Sequence, residues 1–141
     1  MTQEEKELLL KDLCARLPYG LFINTPSGRG HLIGATLSPF GHEIEVNINP
    51  TSSEKFSLNV CKPYLRPMSS MTDEERLELS RLTDDKFKFY LYTKKPEIIC
   101  YEKYNYLEGL KVLDWLNKNM FDYRGLIPMN LALEASQDMY K

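Results

Sequence analysis

The sequence predicts an α+β fold, and three observations carry the prediction. Residues 42–48 alternate strictly, with Ile44, Val46 and Ile48 on one side and Glu43, Glu45 and Asn47 on the other. A period of two with carboxylates outward marks strands buried on one face and wet on the other. Apolar residues at helical spacing follow capping-box pairs at Thr2/Glu5 and Thr72/Glu75, and Asn105/Glu108 repeats the spacing. Short Pro/Gly/Ser clusters separate the strand-like runs, as an antiparallel meander requires. The expected architecture is a curled antiparallel sheet or small SH3-like barrel, with flanking helices at the N-terminus, in the middle and at the C-terminus.

Taken in order, a helix is expected over 2–17, with Leu9, Leu10, Leu13, Cys14 and Leu17 as its apolar stripe and Pro18 and Gly20 stopping it. The β-rich part, 19–61, holds strand candidates at 20–24, 31–37, 42–48 and 56–60, with a polar loop over 49–55. Residues 61–71 contain Pro63 and Pro67, which cannot donate to a ladder. That stretch reads as an extended crossover packed down by Tyr64 and Leu65. A helix to Leu82 follows, with Leu77, Leu79 and Leu82 as its apolar side. Residues 86–93 and 97–101 read as a hairpin. The last helix runs to about Asn119, burying Leu110, Val112, Leu113, Leu116 and Met120, with Trp115 at the edge. Beyond it, a glycine turn at Gly125 leads into a docked tail. The whole, 1–141, is expected to be a single domain, two small lobes sharing a core being the alternative.

Bulk properties narrow the functional classes. The chain has 141 residues, enough to bury roughly 68% of its unfolded surface without disulfide or metal. A net charge of −2 implies no global field for nucleic acid or anionic membrane. Cys14, Cys61 and Cys100 are odd in number, widely spaced and set among apolar neighbours, which predicts free buried thiols in a reducing compartment. The opening MTQEEKELLL is acidic before it is apolar, unlike a signal peptide, and no apolar run approaches the ~20 residues of a membrane span. A cytoplasmic location is expected.

Two stretches, KPYLRPMSSMTDEE (62–75) and WLNKNMFDYRGLIPMNLALEA (115–135), together with LLLKDLCARLPYG (8–20), resemble small uncharacterised proteins of phages and integrated elements in anaerobic gut bacteria. The three blocks cover about a third of the chain. The resemblance implies a genetic setting; it transfers no catalytic residue.

The candidate surface residues each have two readings. Asp122, Tyr123 and Arg124 form either a patch in which Arg124 grips a carboxylate or phosphate, or a structural run pinning the C-terminal segment. Tyr64 and Arg66 are either a contact surface or a polyproline-like brace. Residues 27–30 (SGRG) read better as a hairpin turn than as an anion nest. His31 and His42 are not spaced to converge on a metal, and no histidine has an evident orienting partner for acid–base work. The chain is therefore expected to be no enzyme and to carry no catalytic residue, cofactor or metal. The expected function is that of a non-enzymatic accessory protein of a phage or mobile element, acting by binding a protein. The alternative is a single-stranded nucleic-acid-binding module using the Lys/aromatic segment 86–104, with Lys88 and Tyr90 central to it.

Overall fold

A computed structural model of the chain describes residues 1–82 and 106–140. The expected hairpin over 86–101, the cap at Asn105, Cys100, Lys88 and Tyr90 lie outside the described residues. The fold is α+β, and the chain divides into two compact units, residues 1–65 with 126–135 and residues 66–125 with 136–141.

The first unit opens with α1 (Gln3–Arg16), whose Thr2/Glu5 capping box is present in both directions. Its buried face is Leu9, Asp12, Leu13 and Arg16, at spacings of three and four. Leu10 and Leu17 are half-buried, whereas Cys14 is exposed and not part of the stripe. The stripe thus runs through a buried ion pair: Arg16 Nε donates to Asp12 Oδ2 at 2.8 Å and Nη2 to Oδ1 at 3.0 Å, with both side chains fully enclosed.

A six-stranded sheet follows: β1 (Phe22–Thr25), β2 (Gly28–Thr36), β3 (Glu43–Asn49), β4 (Ser52–Ser57), β5 (Lys62–Leu65) and β6 (Leu133–Glu134). Its order is β4-β3-β2-β1-β5-β6. All pairings are antiparallel except β5 with β6, which is parallel. Among the described residues the sheet is open, with β4 and β6 as its edges, so the expected curled antiparallel sheet or small barrel gives way to a mixed, uncurled sheet. The expected loop over 49–55 is instead a turn and most of β4. An edge strand can be polar on both faces, which hides its period of two; the expected strand at 56–60 ends at Ser57 and continues as a 3-10 turn, Leu58–Val60.

The crossover over 61–71 also proves partly a strand, and an internal one. The Leu65 carbonyl accepts from the Ala135 N–H at 2.8 Å on the β6 side. Backbone groups alternate along a strand, so the Pro63 nitrogen faces that same side. Pairing with β6 begins only at Tyr64, and the missing donor falls just beyond the ladder. Pro63 is buried opposite Ile23. The inner face of the sheet supplies Ile23, Leu32, Ile44, Val46 and Leu65 to the core.

The second unit contains α2 (Asp73–Leu82) and α3 (Tyr106–Lys118). Met71, Leu79, Val112, Trp115, Leu116 and Phe121 form its core, with Met68 and Tyr123 packed on it. Trp115 is thus inside the core, stacked on Phe121 with ring centroids 5.6 Å apart, whereas Leu77, Leu82 and Leu110 are exposed. The helix α3 ends in a Schellman motif: Met120 takes φ 62°, the Phe121 N–H reaches the Leu116 carbonyl at 3.0 Å and the Met120 N–H reaches Asn117 at 3.2 Å. The apolar contact that accompanies such a stop is Phe121 with Leu116.

Candidate functional site

Four of the sequence-predicted residues meet in the second unit. Arg66 and Phe121 form a parallel bridge, in which the Arg66 N–H donates to the Met120 carbonyl at 2.7 Å and the Asp122 N–H to the Arg66 carbonyl at 2.8 Å. That bridge follows from the Schellman stop, which turns the chain after α3 and presents Phe121 and Asp122 to residue 66.

The Arg66 guanidinium lies 4.2 Å from the Phe121 ring centroid and grips both oxygens of Glu75, at 2.8 and 2.7 Å. Glu75 also closes the cap of α2: Thr72 N–H donates to its Oε1 at 3.1 Å, and its own N–H donates to Thr72 Oγ1 at 3.2 Å. Burial acts to raise the Glu75 carboxyl, but hydrogen bonds from Arg66 and from Thr72, with the nearby Arg66 charge, outweigh it and leave the group below its ordinary value. Tyr123 donates its hydroxyl to Asn117 Oδ1 at 3.0 Å, and Arg124 Nη2 donates to the Tyr123 oxygen at 3.0 Å with its guanidinium 4.9 Å from that ring. Asp122 is buried. Gly125, at φ 76°, makes the turn that the sequence assigns to it. These contacts tie Arg66, Tyr123 and Arg124 into the packing of the unit.

Tyr64 belongs to the first unit, and its surroundings differ. On the outward face of the sheet, Phe22 pairs directly with His31 and Asn24 with Arg29. On the other side of β1, Asn24 pairs with Lys62, and one step along that register places Tyr64 beside Phe22. The side chains confirm the common face. The His31 and Phe22 rings lie 4.2 Å apart, the Arg29 guanidinium sits 5.0 Å from the Phe22 centroid, and the Tyr64 hydroxyl reaches Asn24 Oδ1 at 3.4 Å. Lys62 Nζ donates to Asn130 Oδ1 at 2.8 Å. His31 and Arg29 are exposed; Phe22, Asn24, Lys62 and Tyr64 are half-buried. Of this set only Tyr64 stood among the sequence-predicted residues. The strand candidate at 20–24 contains Phe22 and Asn24, but the register that sets His31 and Arg29 beside them is a long-range property.

A third feature lies at the β2–β3 connection. Phe40 is 99% exposed and Leu37 65% exposed. The loop is nonetheless shaped: the Phe40 N–H donates to Ser38 Oγ and the Gly41 N–H to the Ser38 carbonyl, both at 3.1 Å, with Gly41 at φ 132°. The Leu58 N–H donates to the His42 carbonyl at 3.3 Å, which brings the 3-10 turn with half-exposed Val60 to the same end of the sheet.

Among the described residues no three His, Cys, Asp or Glu side chains converge as metal ligands, and no helix is long and apolar enough to cross a membrane. Comparisons with protein-family models, with curated proteins and with solved structures find no match to this chain.

Proposed function

We propose that the protein is a non-enzymatic, cytoplasmic accessory protein of a phage or mobile element that acts by binding another protein through the β2–β3 loop. The genetic setting rests on the resemblance of blocks 8–20, 62–75 and 115–135 to such proteins. The observation that carries the binding mode is Phe40, a full aromatic side chain in solvent at the tip of a hydrogen-bonded turn, with Leu37 behind it and Val60 at the same end of the sheet. Solvent-exposed aromatics held in a defined conformation are characteristic anchors of protein interfaces, because a single ring buries a large apolar area at little entropic cost. A partner with an apolar pocket fits this surface.

Affinity purification from cells carrying the element tests the reading. A stoichiometric partner is expected with the wild-type chain and is lost with Phe40→Ser, while the melting temperature stays unchanged. A partner retained by Phe40→Ser, or none at all, overturns it. The alternative seat of binding, the segment 86–104, lies outside the described residues.

A further inference from the structure

We infer that the outward face of β1, β2 and β5 is a single-stranded nucleic-acid platform, on which a base stacks against His31 and phosphates meet Arg29 and Lys62. The chemistry of the face argues for this ligand over others. His31 is an exposed ring already packed on a second ring, Phe22, which braces it from the sheet at 4.2 Å. A braced, solvent-facing ring offers a π-surface without further ordering cost, and base–aromatic stacking contributes about 1–3 kcal/mol per base. Arg29 lies over the same Phe22 and presents a planar guanidinium, which can stack and can bind phosphate in one geometry. Among the described residues neither Arg29 nor Lys62 pairs with a carboxylate, and Lys62 Nζ contacts a neutral amide, so neither charge is compensated there. Asn24 sits between the two cations, with Arg29 on one neighbouring strand and Lys62 on the other.

Of the acidic residues of the sheet, Glu43, Glu45 and Glu54 lie on β3 and β4, while Glu134 lies on β6 in register with the inward-facing Leu65. Glu45 faces Lys55 across the β3–β4 ladder. Glu54 accepts from the Ser27 hydroxyl at 3.0 Å. Outward-facing cations and aromatics thus gather on β5, β1 and the first half of β2, with Glu45 over Gly34 in the second half of β2 and the Glu54 carboxylate at the β1–β2 turn. That arrangement gives a single strand a track across β5, β1 and the first half of β2, although the net charge of the chain is −2. A duplex has no unstacked base to offer to His31 and gains only the phosphate contacts. This inference is independent of the protein-binding loop, which lies at the β2–β3 end of the sheet.

Fluorescence anisotropy of a labelled oligothymidylate against the full chain tests it. Binding is expected with a log–log salt slope of about −1.4, as two neutralised phosphates predict for a single strand. Arg29→Glu and His31→Ala should each weaken binding about tenfold or more, His31→Phe should restore it, and circular dichroism and melting should be unchanged in all three. The matching duplex should bind more weakly than the single strand. Absence of binding overturns the inference, as does binding that Arg29→Glu and His31→Ala leave within about twofold. Equal binding of polyglutamate or duplex, which would indicate bare anion capture, also overturns it. So does loss of binding on Lys88→Ala or Tyr90→Ala with Arg29→Glu silent, which would assign the site to the segment 86–104.

Discussion

Single residues in this chain are governed by what their neighbours leave them, and the two described cysteines show it. Both looked alike in sequence, each following directly on an apolar residue, Leu13 and Val60. Cys14 falls on the outer side of α1, one position past the buried Leu13, and is exposed; Cys61 is buried, and desolvation of its thiolate pushes its pKa up to about 11. At neutral pH Cys61 is therefore a thiol with few reactive anions and no access. In a Cys100→Ser background, a disulfide reagent should modify Cys14 promptly and Cys61 only after denaturant is added; two fast thiols would contradict this. Gly30 is a second residue whose role is set by packing. A Cβ there would lie 2.6 Å from both the Asn47 carbonyl oxygen and Val46 Cγ1, too close for either β3 atom to accommodate. Gly30→Ala should cost about 1–3 kcal/mol in urea unfolding, whereas an alanine at Gly109, which has open space inside α3, should stabilise by up to about 1 kcal/mol. Neither the buried Asp12–Arg16 pair nor the contact at Gly30 was evident beforehand. The (i, i+4) spacing of the pair was visible, but the same spacing is common on solvated helix faces.

At the scale of elements, capping and alternation were legible because they are local. The limits of α1, the stop after Leu17 and the alternation of β3 all follow from residues within a few positions of one another. Elements decided by tertiary pairing were not legible. Lys62–Leu65 carries a proline, and only the late start of β6 makes that proline harmless inside a sheet. Ser52–Ser57 is polar because it is an edge. Trp115 sits in the core because the Schellman stop folds Phe121 back on it, a consequence of the left-handed Met120 rather than of helical spacing. The start of α2 offers a measurable consequence. Glu75 joins the Thr72 cap to the Arg66 ion pair, and its carboxyl titrates below the ordinary glutamate value. A depressed folded-state value adds stability that is fully present above the unfolded glutamate value and is lost as pH falls through the folded one. Glu75→Gln should therefore reduce stability at neutral pH by about 1–2 kcal/mol, and the difference from wild type should shrink as pH is lowered through that range. A pH-independent difference would show that the charge on Glu75 is immaterial.

For the whole molecule, the α+β class was legible, whereas the sheet's openness, its parallel edge and the division into two units depend on contacts between distant segments. The same holds for function. The densest chemistry in the sequence, residues 121–125, is largely engaged in packing: Phe121 on Trp115 and Arg66, Tyr123 on Asn117, Arg124 on Tyr123. What the fold presents to solvent lies elsewhere, in Arg29 and His31 on the sheet and in Phe40 at its end. Protein binding by the β2–β3 loop, as proposed, is open to a direct test in cells: a photo-crosslinking amino acid is placed at position 40, with position 55 on the exposed edge strand as the control. One discrete adduct with a different protein is expected from position 40, none from position 55, and the adduct should be lost on Leu37→Ser. Equal labelling from both positions, or an adduct consisting only of a second copy of the chain, would contradict the proposal.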